Sequence, residues 1–130
     1  MLTSEQILET ARRLEHAAQT RTPMTQLSVQ FPDMTIDDAY AVQTAWRQLQ
    51  ISRGRKLAGR KIGLTSRTMQ KAQEVDEPDR GFFLDDMMFG DAELIPRDRF
   101  IKPRIEVEIV FVLKRDLTGP DLSVTDVLDA

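Results

Sequence analysis

Cysteine is absent from the 130 residues, which removes disulfides, thiolate zinc sites and a cysteine nucleophile. Histidine occurs once, at His16, so neither a histidine triad nor a multi-histidine metal site fits in this chain. Aromatic residues are only 6% of the total, with a single tryptophan and a single tyrosine, Tyr40. No run of about 18 apolar residues exists, so no segment has the composition of a membrane-spanning helix. The first residues, MLTSEQILETARRLEH, carry acids early and lack an apolar stretch, which predicts no signal peptide. These absences together predict a soluble cytoplasmic protein. Acid–base or metal chemistry then falls to Asp, Glu, Lys, Arg and Tyr40.

What is present is ordinary for a globular chain: 41% hydrophobic and 30% charged residues. Domains usually hold roughly 100–200 residues, so the length predicts one domain or part of one. The net charge is −3, from 18 bases and 21 acids, but it is unevenly spread. Between Ala39 and Gln73 stand Arg47, Arg53, Arg55, Lys56, Arg60, Lys61, Arg67 and Lys71, with no acid. Sparse aromatics and an overall negative sign argue against nucleic acid as the partner of this stretch. A solvated basic face or a positive field that collects a small anion remains.

The first half has helical signals. Thr3 with Gln6 forms a capping-box pattern, and Ile7, Ala11, Leu14 and Ala18 follow at helical spacing. Thr35 with Asp38 repeats the pattern, followed by Ala39, Val42, Trp46 and Leu49, with Gly54 as a stop. Residues 57–64 are expected to be extended, with Thr65 or Ser66 capping a short helix through Gln73. Glu77-Pro78-Asp79 with Gly81 predicts a turn. The strongest strand signal is Ile105 to Leu113. Ser123 or Thr125 opens a last helix, and the chain stops inside it, which predicts a piece of a longer chain. The fold class expected is α+β, with a helical segment over 1–54.

Chemistry concentrates on Arg104-Ile-Glu-Val-Glu108. Strand side chains alternate faces, so Glu106 and Glu108 project together. The flanking Ile109, Val110, Phe111 and Val112 are apolar on both faces, which predicts a covered strand. Two buried carboxylates repel and cost several kcal/mol each unless a cation joins them. Oxygen ligands suit Mg²⁺ or Mn²⁺. Water-facing glutamates on an edge strand, paired with Arg104, are the alternative. Lys61, in Gly59-Arg-Lys-Ile-Gly63, is either a solvated strand lysine or a substrate-binding or proton-carrying group, the last if desolvation and nearby cations lower its pKa. Asp79, Asp85 and Asp86 are turn residues or a carboxylate base; spacing does not choose among them.

The motifs Arg60-Lys-Ile-Gly-Leu-Thr-Ser66, Glu77-Pro-Asp79 with Gly81, Asp85-Asp-Met87 and Pro103-Arg-Ile-Glu-Val-Glu108 stand in order along the chain. With Thr35-Ile-Asp-Asp-Ala-Tyr-Ala-Val-Gln43, they resemble the hydratase branch of the fumarylacetoacetate hydrolase superfamily. The resemblance runs over essentially the whole chain. It implies N-terminal helices over 1–54 followed, over 55–130, by the first part of a fumarylacetoacetase-like mixed β-roll, truncated here. It implies Mg²⁺ (or Mn²⁺) held by Glu106, Glu108 and a third glutamate beyond Ala130. It also implies Lys61 as proton carrier, Asp79 as the carboxylate that positions water, and a homo-oligomer at full length. The implied substrate is a small 2-oxo dicarboxylate of aromatic catabolism, and the local wording favours 2-oxo-hept-4-ene-1,7-dioate from 4-hydroxyphenylacetate degradation. A sister 2-oxo-acid decarboxylase and a truncated inactive chain stay open as alternatives.

Overall fold

The computed structural model describes residues 1–130. Helix α1 spans Ser4–Thr20 and begins at the expected box. The Thr3 hydroxyl accepts from Gln6 N, and the Gln6 side chain accepts from Thr3 N at 2.8 Å. These bonds satisfy amides that have no partner inside the helix. Arg21 ends α1 in the left-handed conformation, φ 56°, and donates its own N–H back to Ala17 O. A short helix α2, Leu27–Gln30, was not signalled by the sequence. Helix α3 spans Ile36–Ser52 and starts at the second box, on Thr35 and Asp38. The α1 and α3 helices pack on each other, burying Ala11, Ala17 and Val42.

Asp38 does more than close its own box. Its carboxylate accepts from Thr35 N at 3.0 Å, from the Thr35 hydroxyl at 2.9 Å and from Leu2 N at 2.9 Å, so it also ties down the N-terminus. The Thr35 and then the Leu2 amide bonds hold its pKa below the usual 3.8. The folded form thus keeps the charge to lower pH than the unfolded chain does. That contribution is complete above about pH 4 and is lost as the pH falls through the folded value. The thermal midpoint should therefore drop below about pH 4 more steeply in the native chain than in Asp38→Asn, as circular dichroism against pH will show. Parallel slopes in the two proteins would refute this role.

After the Gly54 turn, strand β1 (Leu57–Gly63) pairs antiparallel with β2 (Asp79–Leu84) as a two-stranded sheet. Between them lies α4, Arg67–Ala72, capped by the Ser66 hydroxyl. The register sets Lys61 opposite Gly81 and Gly63 opposite Asp79. Asp79 is thus the first strand residue and not the turn the sequence suggested. The ribbon docks on α3: Trp46 meets Phe82 edge-to-face at 5.9 Å, the Arg80 guanidinium lies 4.3 Å over Tyr40, and Gln43 donates to Arg80 O at 3.0 Å. The architecture is α+β.

The expected strand Ile105–Leu113 does not join this sheet, which stops at two strands. Alternating apolar residues favour an extended backbone, but a strand also needs a neighbour for its amides, and none lies beside this run. Its apolar side chains stay open, Val107 at 98% and Phe111 at 83% exposed. The last helix, α5, covers Val124–Leu128 with Ser123 and Asp126 as its capping box. Its C-cap is Asp129. No helix is long and apolar enough to cross a membrane.

Candidate active site

Lys61 sits in the middle of β1, with Gly59 and Gly63 two residues to either side and Gly81 opposite. From there its ammonium reaches across to the extended run. Nζ donates to Glu106 at 3.3 Å and to Glu108 at a shorter distance. The two carboxylates, two residues apart, therefore converge on one cation. Arg104 is not their partner.

Two expectations change here. The carboxylates are not buried: the Glu106 and Glu108 side chains are 65% and 45% exposed, against 34% for Lys61. An unpaired run has no second layer over it, so water solvates the pair and lowers the cost of holding two like charges close. The Lys61 pKa is also raised from 10.5, not lowered. The Glu108 hydrogen bond is the main cause, opposed by desolvation and reinforced by Glu106.

Asp79 joins by register. Residues directly opposite in an antiparallel pair face the same way, and so do positions two apart. Lys61, Gly63, Gly81 and Asp79 therefore share one face, with Asp79 diagonal to Lys61. A Cβ at Gly63 would run into the Asp79 carboxylate and push it aside, so the glycine leaves that carboxylate its place on this face. The other two aspartates are engaged elsewhere. Asp85 accepts from Lys56 N at 3.0 Å and from Asp86 N at 3.2 Å, bonds that hold its pKa low, the Lys56 one foremost. Asp86 pairs with Arg55 and, at 3.6 Å, with Arg99. Of the three aspartates, the geometry leaves Asp79 to the face of Lys61.

Whether this arrangement suits a divalent ion is a question of donors. Glu106 and Glu108 offer hard oxygens aimed at one point, now met by the Lys61 ammonium. Mg²⁺ commonly takes one or two carboxylates and completes its shell with water and substrate, so the pair fits such an ion. No cluster of three or more acidic or imidazole side chains forms in the structure.

Comparison with known proteins follows the same motifs. No protein-family model matches the chain. It is 51% identical over 120 residues to 2-oxo-hept-4-ene-1,7-dioate hydratase of Escherichia coli, covering 92% of this chain and 45% of that protein. It is 48% identical over 129 residues to 2-keto-4-pentenoate hydratase of Paraburkholderia xenovorans, covering 99% of this chain and 48% of that one. The solved structure of 4-oxalocrotonate decarboxylase from Pseudomonas putida G7, complexed with calcium and acetate, superposes with a TM-score of 0.64 at 37% identity. That match covers 66% of this chain and 33% of the decarboxylase. A second structure of the decarboxylase carries magnesium and adipate. Over the part it spans, the chain is similar to enzymes of the hydratase/decarboxylase branch of the fumarylacetoacetate hydrolase superfamily. It spans about half the length of the curated relatives it matches.

Sequence reasoning missed Glu15. This buried carboxylate on α1 accepts from Gln19 (2.7 Å), Trp46 (2.9 Å), Gln50 (2.6 Å) and Arg53 (2.5 Å). The available signal was its position, a charge set between Ala11, Leu14 and Ala18 on the apolar side of α1. Arg53 and Arg55, bound to Glu15 and Asp86, are therefore not free to meet an anion at Lys61.

Proposed function

We propose that the chain carries part of the active site of a metal-dependent hydro-lyase that adds water to a 2-hydroxy-2,4-dienoate. The convergence of Glu106 and Glu108 on Lys61, on the face that bears Asp79, carries this reading. The names of the hydratase relatives support it, and the 51% identity favours 2-oxo-hept-4-ene-1,7-dioate as substrate and 4-hydroxy-2-oxoheptane-1,7-dioate as product. On this reading residues 1–54 are the helical segment, and 55–130 open the β-roll catalytic domain with β1 and β2. The protein is cytoplasmic, works in aromatic catabolism and is homo-oligomeric at full length.

Glu106 and Glu108 would hold Mg²⁺ or Mn²⁺. The ion, when bound, supplies Lewis-acid stabilisation of the negative charge that develops on a 2-oxo acid. Lys61, kept as the ammonium by its bonds to the glutamates, gives from Nζ the proton that carbon takes up as the dienol, losing its hydroxyl proton, becomes a conjugated unsaturated ketone. Asp79 accepts a hydrogen bond from the water that adds to the carbon conjugate to the ketone, giving the 4-hydroxy-2-oxo acid. Loss of ultraviolet dienoate absorbance in a full-length version, with NMR of the product, tests the reaction. The 4-hydroxy-2-oxo acid is expected; release of carbon dioxide instead would make the protein a decarboxylase.

The ligand pair has its own test. Glu106→Gln and Glu108→Gln should each weaken Mg²⁺ or Mn²⁺ binding to the full-length protein by at least about tenfold, because each removes a charged oxygen. Isothermal titration measures it. Unchanged affinity in both variants would remove the pair as ligands.

A further inference from the structure

A cavity of about 610 Å³ opens between α1, α3 and the segment that follows β2. None of Lys61, Asp79, Glu106 and Glu108 lines it. Its titratable lining is Arg21, Arg53, Arg55 and Arg99 against Glu15 and Asp86. Four guanidiniums face two carboxylates, which leaves two positive charges without an anion.

The hydrogen bonds show where those charges are. Arg53 is neutralised by Glu15, which Gln19, Trp46 and Gln50 hold in place. Arg55 and Arg99 share the single Asp86 carboxylate. Arg21 pairs with no carboxylate. It donates from Nε to Asp98 O at 2.9 Å and from Nη1 to Gln19 O at 3.0 Å and to Ala18 O. Arg99 is fixed by its bond to Asp86 O at 2.7 Å and lies 5.1 Å over the Phe89 ring. Trp46, Phe89 and Phe100 add apolar ring surface to the same cavity.

We propose that this cavity is a second ligand site, for a small organic carboxylate with a flat apolar body, aryl or conjugated alkenyl. The carboxylate meets Arg21 through Nη2, the nitrogen its three backbone bonds leave over, and Arg99 through Nε and Nη1, a pair of donors that matches two carboxylate oxygens. The body lies against the rings, as apolar walls with a few placed charges are the usual make-up of small-molecule sites, and the volume falls within their range of roughly 300–1,000 Å³. The site is independent of the Lys61 face and stands whether or not the hydratase reading does.

Trp46 supplies the readout, because it is the one tryptophan in the chain and lines the cavity. Benzoate titrated into the 130-residue chain kept monomeric, by dilution or by Val107→Lys with Phe111→Lys in the open apolar run, should change Trp46 emission saturably, and calorimetry should give the same affinity. Benzamide, of the same shape without the charge, should bind at least about tenfold more weakly, the value of one charge-assisted hydrogen bond. Arg21→Gln and Arg99→Gln should each weaken benzoate by a similar factor, whereas Lys61→Met should leave its affinity within about twofold. Equal binding of benzoate and benzamide by the unaltered chain overturns the proposal without any variant having to fold. So does non-saturating emission, or a benzoate affinity lost in Lys61→Met but kept in both arginine variants.

Discussion

Lys61→Met in a full-length version should lower turnover by at least about a hundredfold, the low end for a lost acid–base group, while metal binding is kept. The metal arm follows from the ligand assignment: Glu106 and Glu108 both remain, and methionine fills the lysine's stem. The turnover arm follows from position. Nζ stands 3.3 Å from Glu106 and closer to Glu108, so a substrate brought to the pair by a bound ion would lie within reach of that nitrogen. Lys61→Arg separates proton transfer from plain charge, since a guanidinium keeps the charge but does not give up its proton. Turnover should stay low in Lys61→Arg. Recovery in the arginine variant would make Lys61 a counter-ion, and near-normal turnover in Lys61→Met would place the proton carrier elsewhere.

What could be seen from the sequence divides by distance along the chain. The boxes at Thr3–Gln6, Thr35–Asp38 and Ser123–Asp126 close over three residues, so their chemistry is complete in the local string. The common direction of Glu106 and Glu108 is equally local. Their partner is not: Lys61 lies 45 residues before Glu106, and only the register of β1 on β2 turns it toward the pair and sets Asp79 beside it. Glu15 shows the same limit. Its bonds to Trp46, Gln50 and Arg53 cross 31 to 38 residues, and no pattern within α1 announces them. Burial of the 105–113 run was misjudged for a related reason. Hydrophobic alternation states what a strand wants to cover, but the covering layer lies in other segments, and the sequence does not show whether they are in place.

That uncovered run leads to the other large effect. Ile105, Val107, Ile109, Val110, Phe111 and Val112 are all exposed. Only 10 of the 130 residues are buried, and large apolar side chains outside the run, Leu94 and Val124 among them, are exposed as well, so the chain has little core to draw the run in. Its amides and carbonyls are also open to a second strand. An extended apolar segment with free backbone groups pairs readily with a copy of itself. Residues 1–130 expressed alone should therefore elute from size exclusion well above monomer size, increasingly so with concentration. Val107→Lys with Phe111→Lys puts two like charges on one face, and directly opposed like charges disfavour strand pairing. The double variant should return to the monomer. With two carboxylates at the Lys61 site and no third gathered, the 130-residue chain should also show no loss of dienoate absorbance on addition of Mg²⁺. A native chain that stays monomeric at every concentration would show that the run does not self-pair. One that also turns over dienoate would require a complete site within these residues, with Asp79, Asp85 or Asp86 as the further ligand.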